Sequence, residues 1–78
     1  MAQLDDRLAR CFSSVFPGLT DEEIRGADVA RLAEIDSLAG VTLVSLIGEE
    51  FGVDVDFENL VELGSFQGVQ NYLRQQGL

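Results

Sequence analysis

Apolar residues recur along the chain at the three- and four-residue spacing that places side chains on one face of a helix. The first such stripe is formed by Leu4, Leu8, Cys11, Phe12 and Val15. Pro17 and Gly18 follow directly and predict the end of this helix. Cys11 lies on the stripe, so we interpret it as a small core residue and not as a reactive thiol.

The most apolar segment runs from about Ser37 to Phe51 and predicts a second, central helix. Apolar side chains cover most of its circumference, so we expect this helix to be the most buried one. Its polar strip consists of Thr42, Ser45 and Glu49, with Ala39 in line. Gly52 predicts its end.

Two further helices are predicted in the last third of the chain. A short one runs from Phe57 to Leu63, and a longer one begins after Ser65, a suitable N-cap. The apolar stripe of the longer helix is Phe66, Val69, Tyr72 and Leu73. The residues 53–57 alternate with the period of a strand, but no partner strand is present, so they predict a loop.

A long connection, from Pro17 to about Asp36, separates the first two helices. Thr20 begins a capping-box pattern, which predicts a single helical turn within it. Leu32 and Ile35 are expected in the core. The prediction is an all-α fold in one domain, residues 1–78: a small four-helix bundle with three main helices, one short third helix and a long first loop.

The charge balance is 14 acidic against 5 basic residues, a net charge of −9. Such a chain is expected to bind neither nucleic acid nor anionic membrane, and to favour basic partners. No apolar run approaches the roughly 20 residues of a membrane span, and the N-terminus lacks the pattern of a signal peptide. A single cysteine forms no internal disulfide, so we expect a cytoplasmic protein.

No catalytic or metal-binding motif is complete in the sequence. The chain has no His and no Lys, so a serine nucleophile has no base, and we expect a protein that is not an enzyme. Asp54, Asp56 and Glu58 resemble the start of a calcium loop. Asn59 stands where that loop requires Gly and Ser65 where it requires Glu, so no metal site is predicted.

The segment Asp36-Ser37-Leu38 carries the candidate chemistry. Asp36 is a predicted N-cap of the central helix, and Ser37 would then stand exposed at its start. Free backbone N–H groups and the helix dipole stabilise an anion at such a position, which suits a phosphodiester. We expect Leu38 to anchor the turn to the core and hold the Ser37 hydroxyl outward.

These residues stand in a wider pattern that resembles the acyl and peptidyl carrier family. The resemblance includes the residues 36–44 (DSLAGVTLV), 49–53 (EEFGV) and 69–73 (VQNYL), and it covers essentially the whole chain. It implies an acyl-carrier-like bundle in which a phosphopantetheinyl transferase attaches 4'-phosphopantetheine from coenzyme A to Ser37. Asp36 matches the acidic neighbour that in the family helps the transferase and its magnesium. The arm's thiol would hold an acyl or aminoacyl group as a thioester for loading and processing enzymes.

The resemblance also implies an acyl pocket and a partner-binding surface. The pocket residues would be Val41, Ile47, Val55, Leu60 and Leu63. The partner-binding residues would be Ala39, Thr42, Ser45, Glu49, Glu50, Asp56 and Glu58. Leu60 and Val69 are bulkier than is usual in fatty-acid carriers, so we expect a shallow pocket, with cargo that is short or carried outside.

Two departures from the fatty-acid carriers keep the pathway open. Glu34 stands where they usually have Gly, and the outer strip of the second helix is neutral until Glu49. Fatty-acid, polyketide and related specialised biosynthesis all fit an acyl carrier. The alternatives are a peptidyl or aminoacyl carrier of a nonribosomal-peptide or cell-envelope pathway, and an unmodified acidic interaction module. The family default is a monomer.

Overall fold

The computed structural model describes residues 3–78, which form six α-helices. They are α1 (Leu4–Val15), α2 (Asp21–Arg25), α3 (Val29–Ile35), α4 (Ser37–Phe51), α5 (Phe57–Leu63) and α6 (Phe66–Gln75). The four helices predicted from the sequence are α1, α4, α5 and α6, and the all-α prediction is confirmed. The residues 53–57 include no strand, as predicted.

The core lies where α4 packs against α1, α3 and α5. Its fully enclosed side chains include Leu8, Phe12, Ile47, Leu60 and Leu73, none of which has exposed surface. Phe12 of α1 meets Phe66 of α6 edge to face, with ring centroids 5.3 Å apart. Such a pair adds about 0.5–1.5 kcal/mol beyond the area it buries. This pair thus packs α6, near the end of the chain, against α1, near its start.

The connection between the two main helices is more ordered than the sequence pattern indicates. The helical turn predicted after Thr20 is α2, and both hydrogen bonds of its capping box are present. The seven-residue α3 was not predicted. Asp28 caps it by accepting a hydrogen bond from the Arg31 N–H at 3.1 Å, and Val29 and Ala33 face the core.

Ile35 corrects one prediction, because 73% of its surface is exposed. The buried face of α3 contains Val29 and Ala33, four residues apart. Ile35 follows Ala33 by two residues, which turns it about 200° around the helix, to the opposite side. The expectation that Ile35 lies in the core is therefore wrong, whereas Leu32 is partly buried.

Two backbone hydrogen bonds join this connection to the turn between α5 and α6. The Ala30 N–H donates to the Gly64 carbonyl at 3.3 Å, and the Phe66 N–H donates to the Ala27 carbonyl at 3.4 Å. These contacts join the start of α3 to the turn between α5 and α6. These two hydrogen bonds fix the start of α3, the helix that leads to Asp36.

No helix among residues 3–78 is both long and apolar enough to cross a lipid bilayer.

Candidate functional site

Ser37 lies at a sharp junction, because Asp36 alone separates α3 from α4. The Asp36 N–H donates to the Leu32 carbonyl at 2.9 Å and so ends α3. The Asp36 Oδ1 accepts a hydrogen bond from the Ala39 N–H at 3.1 Å and so begins α4. Asp36 is thus the predicted N-cap, and Ser37 is the exposed first residue of the 15-residue helix.

The start of α4 presents free hydrogen-bond donors beside the Ser37 side chain. Within residues 3–78, the backbone N–H groups of Ser37 and Leu38 donate to no protein acceptor. The first turn of a helix leaves such groups unsatisfied, and the helix dipole adds a partial positive charge there. An anion attached at Ser37 would find two donors and a favourable field.

Other hydroxyl groups of the described chain are engaged or lie elsewhere on their helices. Ser14 and Thr42 donate to carbonyls one turn earlier, and Thr20 and Ser65 cap helices. The Ser37 hydroxyl makes no hydrogen bond within the described residues. The combination of an exposed, uncommitted hydroxyl with free amides at a long helix start fits a phosphodiester at Ser37.

Leu38 does not anchor the junction, contrary to the prediction, because 76% of its surface is exposed. The buried residues of α4 are Gly40, Leu43, Ile47 and Phe51. Leu38 precedes Gly40 by two residues and therefore lies about 200° away from this buried face. The junction is held instead by the hydrogen bonds of Asp36.

An exposed apolar cluster therefore surrounds Ser37. It consists of Ile35, Leu38 and Val41, of which Val41 is 52% exposed. Large apolar side chains exposed close together often mark an interaction surface. Both Leu38 and Val41 lie two residues before a buried position of α4, Gly40 and Leu43 respectively, and so face away from the core.

The five expected pocket residues differ in their exposure. Ile47, Val55 and Leu60 are buried in the core, and Leu63 is partly buried. Val41 lies on the exposed side of α4, away from them. The three buried members thus have little or no contact with solvent, and their role as pocket residues stays a prediction.

Phe57, which the sequence reasoning did not single out, closes the space beside the start of α4. A Cβ added at Gly40 would come within 2.7 Å of the Phe57 ring and 3.2 Å of the Ala33 Cβ. The glycine therefore allows the ring of α5 to lie directly against the backbone of α4. A glycine in the middle of a helix, where no turn requires it, is the sequence signal for such a close approach.

The expected partner-binding residues fall into two groups. Thr42, Ser45 and Glu49 are exposed along α4, Ala39 is partly exposed in line with them, and Glu58 is exposed on α5. Two acidic members have partners within the protein. Arg7 Nε donates to Glu50 Oε2 at 2.9 Å, and Asp56 caps α5 by accepting from the Asn59 N–H at 2.8 Å.

Cys11 is buried on the core side of α1, as its position on the apolar stripe predicts. Burial raises the pKa of its thiol, and the nearby Glu50 carboxylate raises it further. The thiol form is thus retained at neutral pH, and thiols of this kind are poor nucleophiles.

Among residues 3–78, no three His, Cys, Asp or Glu side chains converge as ligands of a metal ion.

Comparison with known proteins gives one match. The family model for the phosphopantetheine attachment site matches residues 6–73, a span that includes Ser37 and all of α2 to α5. Searches of curated proteins and of solved structures found no match. Since the matched span is most of the chain, the protein belongs to the phosphopantetheine attachment site family, whose members carry 4'-phosphopantetheine as a covalent group.

Proposed function

We propose that this protein is an acyl carrier whose Ser37 hydroxyl bears the 4'-phosphopantetheine arm. The observation that carries the proposal is the exposed, uncommitted Ser37 hydroxyl at the start of α4, inside the span that the family model matches. Domains of this family are in general carriers that do not catalyse reactions. The absence of His and Lys from the sequence agrees with that role.

Attachment would be a phosphoryl transfer performed by a phosphopantetheinyl transferase. The Ser37 oxygen forms a bond to the phosphorus of coenzyme A that bears pantetheine. The phosphoanhydride bond breaks, adenosine 3',5'-bisphosphate leaves, and the hydroxyl proton is released. This chain's contribution is to present the hydroxyl at a fixed junction, held by Asp36, and to stabilise the product anion with the free N–H groups of Ser37 and Leu38.

The attached arm supplies a thiol that holds cargo as a thioester. A tethered group reaches successive active sites at a high effective concentration, which explains how a chain without catalytic groups serves a pathway. In this proposal the cargo is an acyl group of fatty-acid, polyketide or related specialised biosynthesis. The proposal places the protein in the cytoplasm, as its single, buried cysteine suggests.

A peptidyl or aminoacyl carrier is the second candidate, and the surface beside Ser37 favours it. The apolar cluster of Ile35, Leu38 and Val41 adjoins a neutral strip, Ala39, Thr42 and Ser45. A partner that docks there would use apolar contacts more than charge. Such docking depends weakly on ionic strength, whereas docking through carboxylates weakens steeply with salt.

Intact mass tests the attachment. The protein is incubated with coenzyme A, magnesium and a transferase of broad specificity, alongside Ser37→Ala and Ser45→Ala. Ser45 is a matched control because it is exposed on the same helix, two turns further on, without free amides beside it. We expect one added phosphopantetheine on the native protein and on Ser45→Ala, and none on Ser37→Ala.

A folded protein that gains no mass from several transferases, each active on a known carrier, would contradict the proposal. That result would favour an unmodified acidic module that binds a basic or amphipathic partner. Gain of mass by Ser37→Ala would show that the arm is attached elsewhere.

A further inference from the structure

An open cleft of about 390 Å³ lies between α2 and α3, and α3 ends two residues before Ser37, the proposed attachment residue. Its lining includes Leu19, Gly26, Ala27, Arg31, Leu32 and Ile35. The apolar members are partly exposed, so the cleft has an apolar floor that solvent reaches. Neither the sequence pattern nor the family match assigns it a role.

One end of the cleft lies close to Ser37 along the chain. Ile35 lies on its wall, two residues before Ser37, and is also a member of the exposed apolar cluster. From Ile35 the wall follows α3 back towards Asp28, a distance of about 10 Å at the rise of an α-helix. An extended pantetheine, with its two amide bonds, is longer than this, so an arm on Ser37 reaches the far end.

The alternative place for an apolar cargo, between α4 and α5, is closed to solvent at its centre. Ile47 and Leu60 have no exposed surface, and the Phe57 ring lies against Gly40 beside the start of α4. A cargo would reach Ile47 and Leu60 only if the surrounding side chains moved, whereas the α2–α3 cleft is already open to solvent.

The charged residues of the cleft are one cation, Arg31, and two carboxylates, Glu23 and Asp28, each of which accepts a backbone hydrogen bond at a helix cap. Arg7 and Arg25 are engaged by carboxylates, whereas Arg31 makes no ion pair among the described residues. Arg31 precedes Ile35 by one helical turn and lines the cleft. In a protein of net charge −9, it offers a cation to the phosphodiester or to the polar oxygens of the arm.

We infer that the phosphopantetheine arm folds back into the α2–α3 cleft and shelters an apolar acyl group on Leu19, Ala27 and Leu32. The inference rests on the proposed attachment at Ser37. It assigns the cargo to an external groove, in place of the interior between α4 and α5. The cargo it fits is a short or medium acyl chain, because the cleft is open and its apolar floor is limited to these few side chains.

NMR of the loaded protein tests the inference directly. Octanoyl pantetheine with an amide in place of the thioester is transferred to Ser37 from the corresponding coenzyme A analogue, and intact mass establishes loading. We expect nuclear Overhauser contacts from the octanoyl methylenes to the methyl groups of Leu19 and Leu32. Contacts to Ile47 and Leu60, or no contacts to the protein at all, would overturn the inference.

Gly26 and Gly18 provide a matched pair of variants. A Cβ at Gly26 would meet its nearest atom, the Glu22 carbonyl oxygen, at an ordinary 3.6 Å, and a Cβ at Gly18 would meet nothing within 4 Å. Gly26→Leu adds a side chain at the cleft, whereas Gly18 is not part of its lining. We expect Gly26→Leu to lose the octanoyl contacts to Leu32 and Gly18→Leu to retain them, both with native circular dichroism.

The outcomes separate this inference from the proposed function. A protein that acquires no mass contradicts attachment at Ser37, and the inference falls with it. A protein that is fully loaded at Ser37 but whose octanoyl group contacts Ile47 and Leu60, or no part of the protein, contradicts the cleft alone. The measurement on the native chain needs no variant, so the inference can be overturned even if Gly26→Leu misfolds.

Discussion

Two nucleophilic side chains of this chain lie in opposite environments. The Ser37 hydroxyl is exposed at a helix start that favours anions, and the Cys11 thiol is buried with its pKa raised. Under the proposed function this separation matters, because an accessible protein thiolate would attack the thioester on the arm. Burial of Cys11 leaves the thiol of the arm as the reactive one.

The reactive thiols can be counted with a disulfide reagent at neutral pH. We expect the folded unmodified protein to react slowly, because Cys11 is both buried and protonated. After phosphopantetheine is attached, one fast-reacting thiol should appear per chain, and guanidinium should expose Cys11 as the second. A fast thiol in the folded unmodified protein would contradict the burial argument.

Gly40→Ala probes the contact between α4 and the Phe57 ring. The added Cβ would lie within 2.7 Å of the ring, and such overpacking costs about 1–3 kcal/mol. The gain in helix propensity, about 1 kcal/mol, does not offset most of that range. We expect a lower free energy of unfolding in urea.

Two further variants make the Gly40 measurement specific. Gly18→Ala, which meets no atom within 4 Å, should leave stability unchanged or slightly raised. Phe57→Leu should recover part of the loss when combined with Gly40→Ala, since it shortens the side chain that is in the way. Equal effects of Gly40→Ala and Gly18→Ala would show that the ring moves freely.

At the residue scale, the sequence predicted the junction but not every direction in which its side chains point. Asp36 as N-cap follows from its chemistry and from the apolar run behind it. Leu38 and Ile35 were placed in the core by apolarity alone. Both lie about 200° from the buried face of their helix, and that face is known only once the neighbouring helices are in place.

At the scale of elements, the strength of the local signals decided what could be predicted. The ends of α4 were predicted because Asp36 stands before the helix and Gly52 after it, and the structure shows the same kind of residues, Asp56 and Gly64, at the ends of α5. Both glycines have positive φ, as such ends require. The short α3 has only two buried apolar residues, and its position depends on contacts with α4 and α5 that are distant in sequence.

The five-residue α2 depends on its capping box more than on its own length. The Thr20 N–H donates to Glu23 Oε1 at 3.0 Å, and the Glu23 N–H donates to Thr20 Oγ1 at 3.1 Å. An isolated helix of this length is not stable in water. The cap and the burial of Ile24 therefore hold α2 in place beside the cleft.

Glu23→Gln tests the charged part of this cap through its pH dependence. Hydrogen bonds from the Thr20 backbone, and then from its side chain, lower the pKa of Glu23. A lowered pKa in the folded state stabilises the protein above the ordinary range of Glu, and the effect disappears as the pH falls through the lowered value. We expect Glu23→Gln to be less stable than the native chain at pH 7 and equally stable at low pH.

The matched control for this cap is Glu22→Gln, which removes a charge from the same turn but no cap hydrogen bond. Urea unfolding of both variants across the acid range separates the cap from the general charge of α2. A Glu23→Gln deficit that persists unchanged at low pH would show that the carboxylate charge is not its cause.

At the scale of the whole molecule, Arg7 and Arg25 form all the ion pairs of residues 3–78 in a strongly acidic chain. Arg25 is bonded to Asp5, Asp6 and Asp21 at 2.8–3.1 Å, which joins α2 to the first turn of α1. These hydrogen bonds raise the pKa of its guanidinium, so it stays charged throughout the usable pH range. The carboxylates of α4 and α5 lack comparable compensation, apart from Glu50 with Arg7.

The remaining repulsion predicts that salt stabilises this fold. The molecule measures 30 × 25 × 18 Å, and the screening length falls from about 30 Å at 0.01 M salt to about 3 Å at 1 M. In dilute buffer every carboxylate therefore acts on the others, whereas in high salt only close pairs interact. Because the net charge is −9, the lost repulsion outweighs the lost attraction of the arginine pairs, and the melting temperature at pH 7 should rise with sodium chloride.

The same titration near the isoelectric point of about 4.1 is the control, since the net charge vanishes there and the rise should disappear with it. A melting temperature that ignores salt at pH 7, or that rises equally at both pH values, would mean that repulsion among the carboxylates does not limit the stability of this protein.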